Sequence, residues 1–312
     1  MDSGQERRDE IRGRRTYVRL MTMGVLSVSK VLLTSMSDLR RLRLTAPSEE
    51  RYERPPRRYE LPNFEVGMGA CQLDQRYLHP TRYCNSRAPE VIALAHELGA
   101  YRLSDREFAE AAFHHAKERM TLEIGPIVSA EQGLMRGTGS CFELISVFIA
   151  LCRAASIRAR YKIFATDMIQ SWQDATVGAD PLVKKWYDAL GYFPLEGEGE
   201  AYIDGQWMVA HVGPTAERQA AAGIPITRFG EDSLGVWFQA KPGTIMRLES
   251  LPRGLATGTR LLHRISPASM ERINISVQKQ IARGRQIIAD AGGPEAYDEQ
   301  ARRQHHPRDC PA

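Results

Sequence analysis

The chain has 312 residues, enough for one large domain or one domain with appendages. An apolar content of 43% supports a substantial core. The formal net charge of +4 comes from the two ends of the chain, because residues 61–250 carry more Asp and Glu than Lys and Arg. Nucleic-acid binding would need a basic, aromatic face on the folded body. The charge pattern therefore excludes nucleic acid as an expected partner.

The five cysteines are irregularly spaced, and no Cys-x-x-Cys pair occurs. Such spacing predicts neither a zinc or iron–sulfur site nor a disulfide framework, and we expect no metal and no cofactor. The apolar run from Leu20 to Leu33 is shorter than a membrane span. These features predict a cytoplasmic protein, kept in a reducing compartment, that does not engage a membrane.

Three segments are expected along the chain. Residues 1–60 are charged and rich in Arg and Pro near their end, which predicts a largely disordered extension with at most one short helix. Residues 61–250 form the expected catalytic body. Residues 251–312 form a helical segment, with an apolar face within Pro267–Ala291, followed by a polar tail. That face could pack on the body or on a second copy, so the oligomeric state is left open.

Three short helices are predicted before the central motif. Residues 89–98 carry apolar side chains at helical spacing. Ser104 and Glu107 form a capping-box pattern for a helix over Asp105–Met120. The third predicted helix, Ser129–Met135, leads into a glycine-containing turn.

Cys141 follows this turn and begins a stretch that is apolar at nearly every position as far as Arg153. A helix that is apolar on all sides is buried. A thiol at the N-terminus of such a helix meets free amides and the positive end of the helix dipole, which lower its pKa. Cys141 is therefore the candidate nucleophile, although a buried structural cysteine would give the same pattern. Residues 157–165 alternate and predict a strand.

Two more stretches add candidate residues. The connection over residues 166–195 is rich in aromatics, and Trp172 could line an acyl pocket or cap the core. Further on, Asp204-Gly205 lies between two alternating runs, a strong signal for a two-residue hairpin turn. With that turn, Glu198 faces His211. Period-2 alternation then puts six side chains on one face: Glu196, Glu198, Glu200, Trp207, Val209 and His211.

The cysteine motif resembles the transglutaminase-like superfamily, in its bacterial small-molecule type, through Gly139, Cys141, Leu151, Arg153, Ala154, Ile157, Ala159 and Arg160. The hairpin carries a second part of the resemblance, in Glu200, Tyr202, Asp204, Gly205 and Trp207. Together the two parts cover roughly residues 75–240. The resemblance implies an α+β, papain/transglutaminase-like core, in which the buried helix carrying Cys141 packs on an antiparallel sheet and a helical extension follows.

The resemblance also places the family's triad, but with two members exchanged. Glu196 stands where the family has its histidine, and His211 stands where it has its acid. Three interpretations remain open: a Glu196–His211 pair that serves Cys141, Glu196 alone as the base, or loss of catalysis. We take Glu198, Trp172 and Trp207 as candidate substrate-binding residues.

The resemblance implies cysteine-dependent acyl transfer through a thioester acyl-enzyme. Cross-linking members bind calcium and N-glycanase-like members carry zinc-binding cysteine pairs, and this chain has neither signature. The expected reaction is therefore amide formation or cyclisation of a small-molecule or carrier-bound acyl substrate. The alternatives are a cysteine protease or amidase, and an inactive transglutaminase-like binding protein.

Overall fold

The computed structural model describes residues 3–34, 37, 50–235 and 238–304. Its helices are Ser3–Thr34 (α1), Pro89–Glu97 (α2), Asp105–His114 (α3), Ala130–Arg136 (α4), Cys141–Ala154 (α5), Gln170–Thr176 (α6), Pro181–Leu190 (α7), Ala216–Ala221 (α8), Arg253–Ile265 (α9), Pro267–Asp290 (α10) and Pro294–Gln304 (α11). Its strands are Thr121–Leu122 (β1), Thr138–Gly139 (β2), Ala159–Met168 (β3), Phe193–Ile203 (β4), Gln206–Ala210 (β5), Phe238–Ala240 (β6) and Met246–Leu248 (β7).

The main sheet is antiparallel and is organised around β3. Strand β4 pairs with one side of β3, and β5 pairs with the outer side of β4. On its other side β3 pairs with β6 near its end and with β7 near its start. The short strands β1 and β2 form a separate parallel pair. The predicted α+β class and antiparallel sheet are confirmed.

Most of the elements that local sequence signals predict before the hairpin are present in the structure. The capping box of Ser104 and Glu107 is present at the start of α3. The predicted long helix differs in its last turn, because α3 ends at His114 and a π-helical turn continues over His115–Arg119. That turn buries Lys117, whose side chain reaches the functional site described below.

Helix α5 is buried along its length and packs on one face of β4. A Cβ atom added at Gly197 would lie 3.0 Å from the Phe142 ring, and one at Gly199 would lie 2.6 Å from the Phe148 ring. The alternate residues of β4 point to the opposite face, so one face of the sheet is apolar and the other carries charge. The predicted packing of the cysteine helix on the sheet is confirmed.

Part of the N-terminal segment, which the sequence predicts to be largely disordered, is helical. Residues 3–34 form one long helix, with Leu20 and Val31 buried. Gly13 of this helix lies against β7, because a Cβ there would meet Leu248 at 3.3 Å. Apolar residues at helical spacing explain the helix, which the high local charge obscured. Among the described helices, none combines the length and apolar character that crossing a bilayer requires.

Residues 50–60 also lie on the body. Arg54 donates two hydrogen bonds to the Glu123 carboxylate, at 2.8 and 2.9 Å. The Tyr59 hydroxyl donates to the Leu134 carbonyl at 2.8 Å. The segment therefore follows the surface of the body up to the boundary predicted near residue 60.

The C-terminal helix α10 packs on the body. Its residues Ile273, Val277 and Ile281 are buried. The helix crosses α8 so closely that a side chain at Gly284 would overlap the Glu217 carbonyl oxygen. The polar tail predicted to follow lies outside the described residues.

The close approach of α5 to β4 can be tested at Gly199. Gly199→Ala should lower the free energy of unfolding by about 1–3 kcal/mol, because the new methyl group would overlap the buried Phe148 ring. Gly69→Ala is the control, since no atom lies within 4 Å of a Cβ built there. Urea unfolding of both variants checks the prediction. Equal midpoints for the two variants would contradict this packing.

Candidate active site

Cys141 is the first residue of α5, and the residues before it are held in place by Glu143. The Glu143 carboxylate accepts hydrogen bonds from the backbone N–H of Ser140 at 2.8 Å and of Val128 at 3.3 Å, and it pairs with Arg136. Gly139 is required beside it, because a Cβ there would lie 2.7 Å from the Glu143 Cβ. The start of the helix, and with it Cys141, is therefore fixed in position.

The surroundings of the thiol correct one expectation. Cys141 packs against an apolar cluster of Leu122 with three residues of α10, namely Ile273, Val277 and Ile281. Burial raises the pKa of the Cys141 thiol well above its ordinary value, and the nearby Glu196 carboxylate raises it further. A backbone hydrogen bond from Phe142 and the charge of Arg218 act in the opposite direction and only partly compensate. The surroundings of the partly exposed Cys141 therefore raise the pKa of its thiol, whereas the helix N-terminus alone predicted a lowered pKa.

The loop after β5 brings His211 toward the cysteine. Gly213 touches Cys141, because a Cβ at Gly213 would lie 2.9 Å from the Cys141 Cβ. The buried Lys117 ammonium holds this loop by donating to the carbonyl oxygens of His211 at 3.2 Å and of Pro214 at 2.8 Å. The contact with the candidate nucleophile is therefore made by Gly213, which follows His211 by two residues in the chain.

The hairpin register agrees with the prediction. Ile203 pairs with Gln206, Tyr202 with Trp207 and Glu200 with Val209. The ladder ends at Gly199 and Ala210, one residue short of the predicted Glu198–His211 pair.

Glu198 is fully buried on the charged face of the sheet. It forms an ion pair with Lys162 at 2.8 Å and is also hydrogen-bonded to Ser233. Lys162 is a residue that the sequence reading missed. Its position in β3, directly opposite Glu198, follows from the same alternation that placed the hairpin residues.

Burial sets the protonation states of the exchanged pair. It raises the pKa of Glu196 to about 7, against the opposing effects of the Gly197 N–H and the Arg218 charge. It lowers the pKa of His211 well below the ordinary value, with the charges of Lys117 and Lys162 acting in the same direction. At neutral pH His211 is therefore a neutral imidazole and a weaker base than an ordinary histidine, and Glu196 is close to its titration midpoint.

Trp172 and Arg218 pack against each other on another side of the candidate site. Trp172 is buried in a cluster with Phe164 and Val177. The Arg218 guanidinium lies 3.4 Å from the centroid of the Trp172 ring. Arg218 was missed because it lies in a short helix, α8, with no motif to distinguish it.

Trp207 lies far from Cys141. Its ring stacks with the Arg160 guanidinium at 3.7 Å, and it pairs across the hairpin with Tyr202. Tyr202 is six residues along β4 from Glu196, which corresponds to roughly 20 Å of extended strand. The structure brings Glu196, Arg218 and the loop of His211 around Cys141, and it leaves Trp207 at the opposite end of the hairpin.

A cavity of about 580 Å³ lies on the other side of the cysteine turn. Gly139, Ile124 and Met270 contribute to its lining. Ile124 and Met270 also pack in the apolar cluster that covers Cys141. The cavity therefore borders the apolar cluster against which Cys141 packs, but Cys141 itself does not line it.

No family model matches the chain, and no curated protein matches it. One solved structure that resembles it is a protein from Cytophaga hutchinsonii provisionally assigned as a cysteine protease. The two are 23% identical over 44% of this chain, with a TM-score of 0.32. The matched region spans 42% of that protein, less than half of its length. The chemistry of this chain therefore has to be deduced from its own residues.

The buried carboxyl of Glu196 predicts a pH-dependent stability. Its pKa of about 7 in the folded protein exceeds the ordinary value of 4.5, so the folded state holds a proton that the unfolded state releases. The stabilisation is complete below pH 4.5 and is lost as the pH rises through 7. The change in the free energy of unfolding caused by Glu196→Gln should therefore be more favourable at pH 8 than at pH 5, by up to about 3 kcal/mol.

Thermal unfolding at the two pH values measures this difference. Glu65→Gln, at an exposed position, serves as the control and should show no such pH dependence. The same change in Tm for Glu196→Gln at pH 5 and pH 8 would contradict a buried, protonated Glu196.

Proposed function

We propose that this protein is a cysteine-dependent acyltransferase with a papain/transglutaminase-like core. In this proposal it forms amides or cyclises a small-molecule or carrier-bound acyl substrate. One observation carries it: the loop of a neutral, buried His211 contacts the first residue of helix α5, Cys141, beside Glu196 and Arg218. The candidate nucleophile therefore lies against the loop that follows His211 and within the electrostatic influence of Glu196 and Arg218.

The proposed reaction has two steps. The Cys141 sulfur attacks the acyl carbon of a thioester, a new C–S bond forms, and the C–S bond of the donor breaks. The thiol proton passes to a base and then to the leaving thiol. An amine or water next attacks the acyl-enzyme and restores the Cys141 thiol. His211 is the proposed base, because its loop contacts Cys141 through Gly213, and Glu196 is its proposed partner.

The cover over Cys141 favours a small substrate within this proposal. The partly exposed Cys141 packs against the apolar cluster that Ile273 and Val277 of α10 help to form, and it does not line the neighbouring cavity. A protease must accommodate an extended peptide on both sides of the scissile bond, whereas an acyl group of a few atoms needs only a local opening. The protease alternative is therefore less well supported than transfer to or within a small molecule.

An inactive binding protein is the second candidate, and the same cover is the observation that favours it. A protonated thiol under an apolar helix is a poor nucleophile. The two candidates differ in one measurable property, which is whether Cys141 accumulates an acyl group.

Intact-protein mass spectrometry after incubation with a simple acyl thioester measures that property. The enzyme should gain one acyl group on Cys141, and Cys141→Ala should gain none. Cys152→Ala is the matched control, because Cys152 is buried further along the same helix. The acylation rate should increase with pH from neutral to above pH 9, since burial raises the thiol pKa.

The base is assigned by two further variants in the same assay. If His211 and Glu196 act together, His211→Ala and Glu196→Gln should each slow acylation by about a hundredfold. If Glu196 alone is the base, only Glu196→Gln should be severe. Absence of any acyl adduct in the wild-type protein across the pH range would refute acyl transfer and favour the binding protein.

A further inference from the structure

The Arg218 guanidinium is buried with part of its hydrogen-bonding capacity unused. Only 1% of the residue is exposed. Its Nε donates to the Gln280 side chain at 3.2 Å, and its flat face covers the Trp172 ring. Its Nη2 is also buried, and within the described residues no acceptor lies within hydrogen-bond distance of it. A buried donor without an acceptor is costly, and more so when it is charged.

Arg218 lies five residues after Gly213, which touches Cys141. Arg218 interacts electrostatically with the Cys141 thiol and with the Glu196 carboxyl. It forms no ion pair with Glu196, so that carboxylate does not satisfy Nη2. Burial lowers the pKa of Arg218 to about 9, which still leaves it positively charged at neutral pH.

The N-terminus of α5 adds a second source of positive potential at the same place. Cys141 and Phe142 are its first two residues, and the first N–H groups of a helix have no partner within it. These amides and the helix dipole attract negative charge. The thiol therefore lies at a helix N-terminus and within the electrostatic influence of a buried guanidinium whose Nη2 has no acceptor among the described residues.

We infer that Arg218 binds a carboxylate of the acyl substrate, so that the natural donors carry a carboxylate a few atoms from the reacting carbonyl. This inference rests on the proposed function, because it names the substrate class of the same site. A carboxylate fits better than a phosphate, since Glu196 and Glu143 both act on Cys141 electrostatically and would repel a dianion more strongly. A planar carboxylate also matches the donor geometry of a guanidinium.

A matched pair of small reagents tests the inference without a known substrate. Iodoacetate and iodoacetamide both place their CH₂ carbon on the Cys141 sulfur with loss of iodide and of the thiol proton, but only iodoacetate carries a carboxylate. The measured quantity is the ratio of the two alkylation rates at Cys141, compared with the ratio at the same cysteine in the urea-unfolded chain. In the native protein this ratio should be higher by about tenfold or more.

Arg218→Gln should return the ratio to that of the unfolded chain, and Arg218→Lys should retain part of the preference. Arg285→Gln is the matched control, because it removes an exposed arginine near Glu217 of the same helix α8. The comparison of native with unfolded wild-type protein requires no variant, so a folding defect of Arg218→Gln leaves the test intact. Equal ratios in the native and unfolded wild-type protein would overturn the inference.

A binding measurement separates this inference from the proposed function. Glutarate at millimolar concentration should raise the Tm of the wild-type protein, and the neutral glutaramide should not. Arg218→Gln should abolish the glutarate effect, while Arg285→Gln should keep it. If Cys141 resists both alkylating reagents but glutarate binds through Arg218, acyl transfer fails and the carboxylate site stands. If Cys141 forms an acyl-enzyme with no preference for an anionic reagent and no glutarate effect, the carboxylate site fails and the function stands.

Discussion

The close contact between helix α5 and strand β4 is the constraint on which the site depends. Gly197 and Gly199 let the Phe142 and Phe148 rings reach the strand backbone. Any side chain at these two positions would push the helix outward and carry Cys141 with it. The intervening residue Glu198 and its neighbours then have to point to the opposite face, where the charged groups collect. Strand β4 thus determines both the position of Cys141 and the position of the titratable groups.

The charged face is held by buried polar contacts rather than by surface ion pairs. Glu198 forms an ion pair with Lys162, and Lys117 donates hydrogen bonds to the loop that contains His211. A buried charge is tolerated only with such partners, and removing one partner costs several kcal/mol. The same environment that raises the pKa of Glu196 and lowers that of His211 therefore requires each neighbour to stay in place. In this part of the protein, stability and protonation state have a common origin.

The elements that depend on local sequence could be predicted, and the spatial relations only in part. The glycine turn, the apolar helix and the Asp204-Gly205 hairpin fix α5, β4 and β5 with their register, because each rule acts over a few residues. Alternation then places Glu196 and Glu198 on the charged face. Arg218 could not be found in this way, since it approaches Cys141 through tertiary packing from a helix of six residues. The rise of the thiol pKa was missed for the same reason: burial and the Glu196 carboxylate cause it, and both depend on tertiary packing.

The position of α10 has a consequence for the newly made chain. The residues that cover Cys141, from Ile273 to Ile281, are translated after the sheet that ends with β7 at Leu248. At ordinary elongation rates this interval lasts on the order of seconds. During it α5 and the sheet can assemble while the thiol still faces solvent, without the apolar wall that later surrounds it. The Cys141 thiol is therefore more exposed to solvent during synthesis than in the folded protein, where it packs against the apolar cluster of α10.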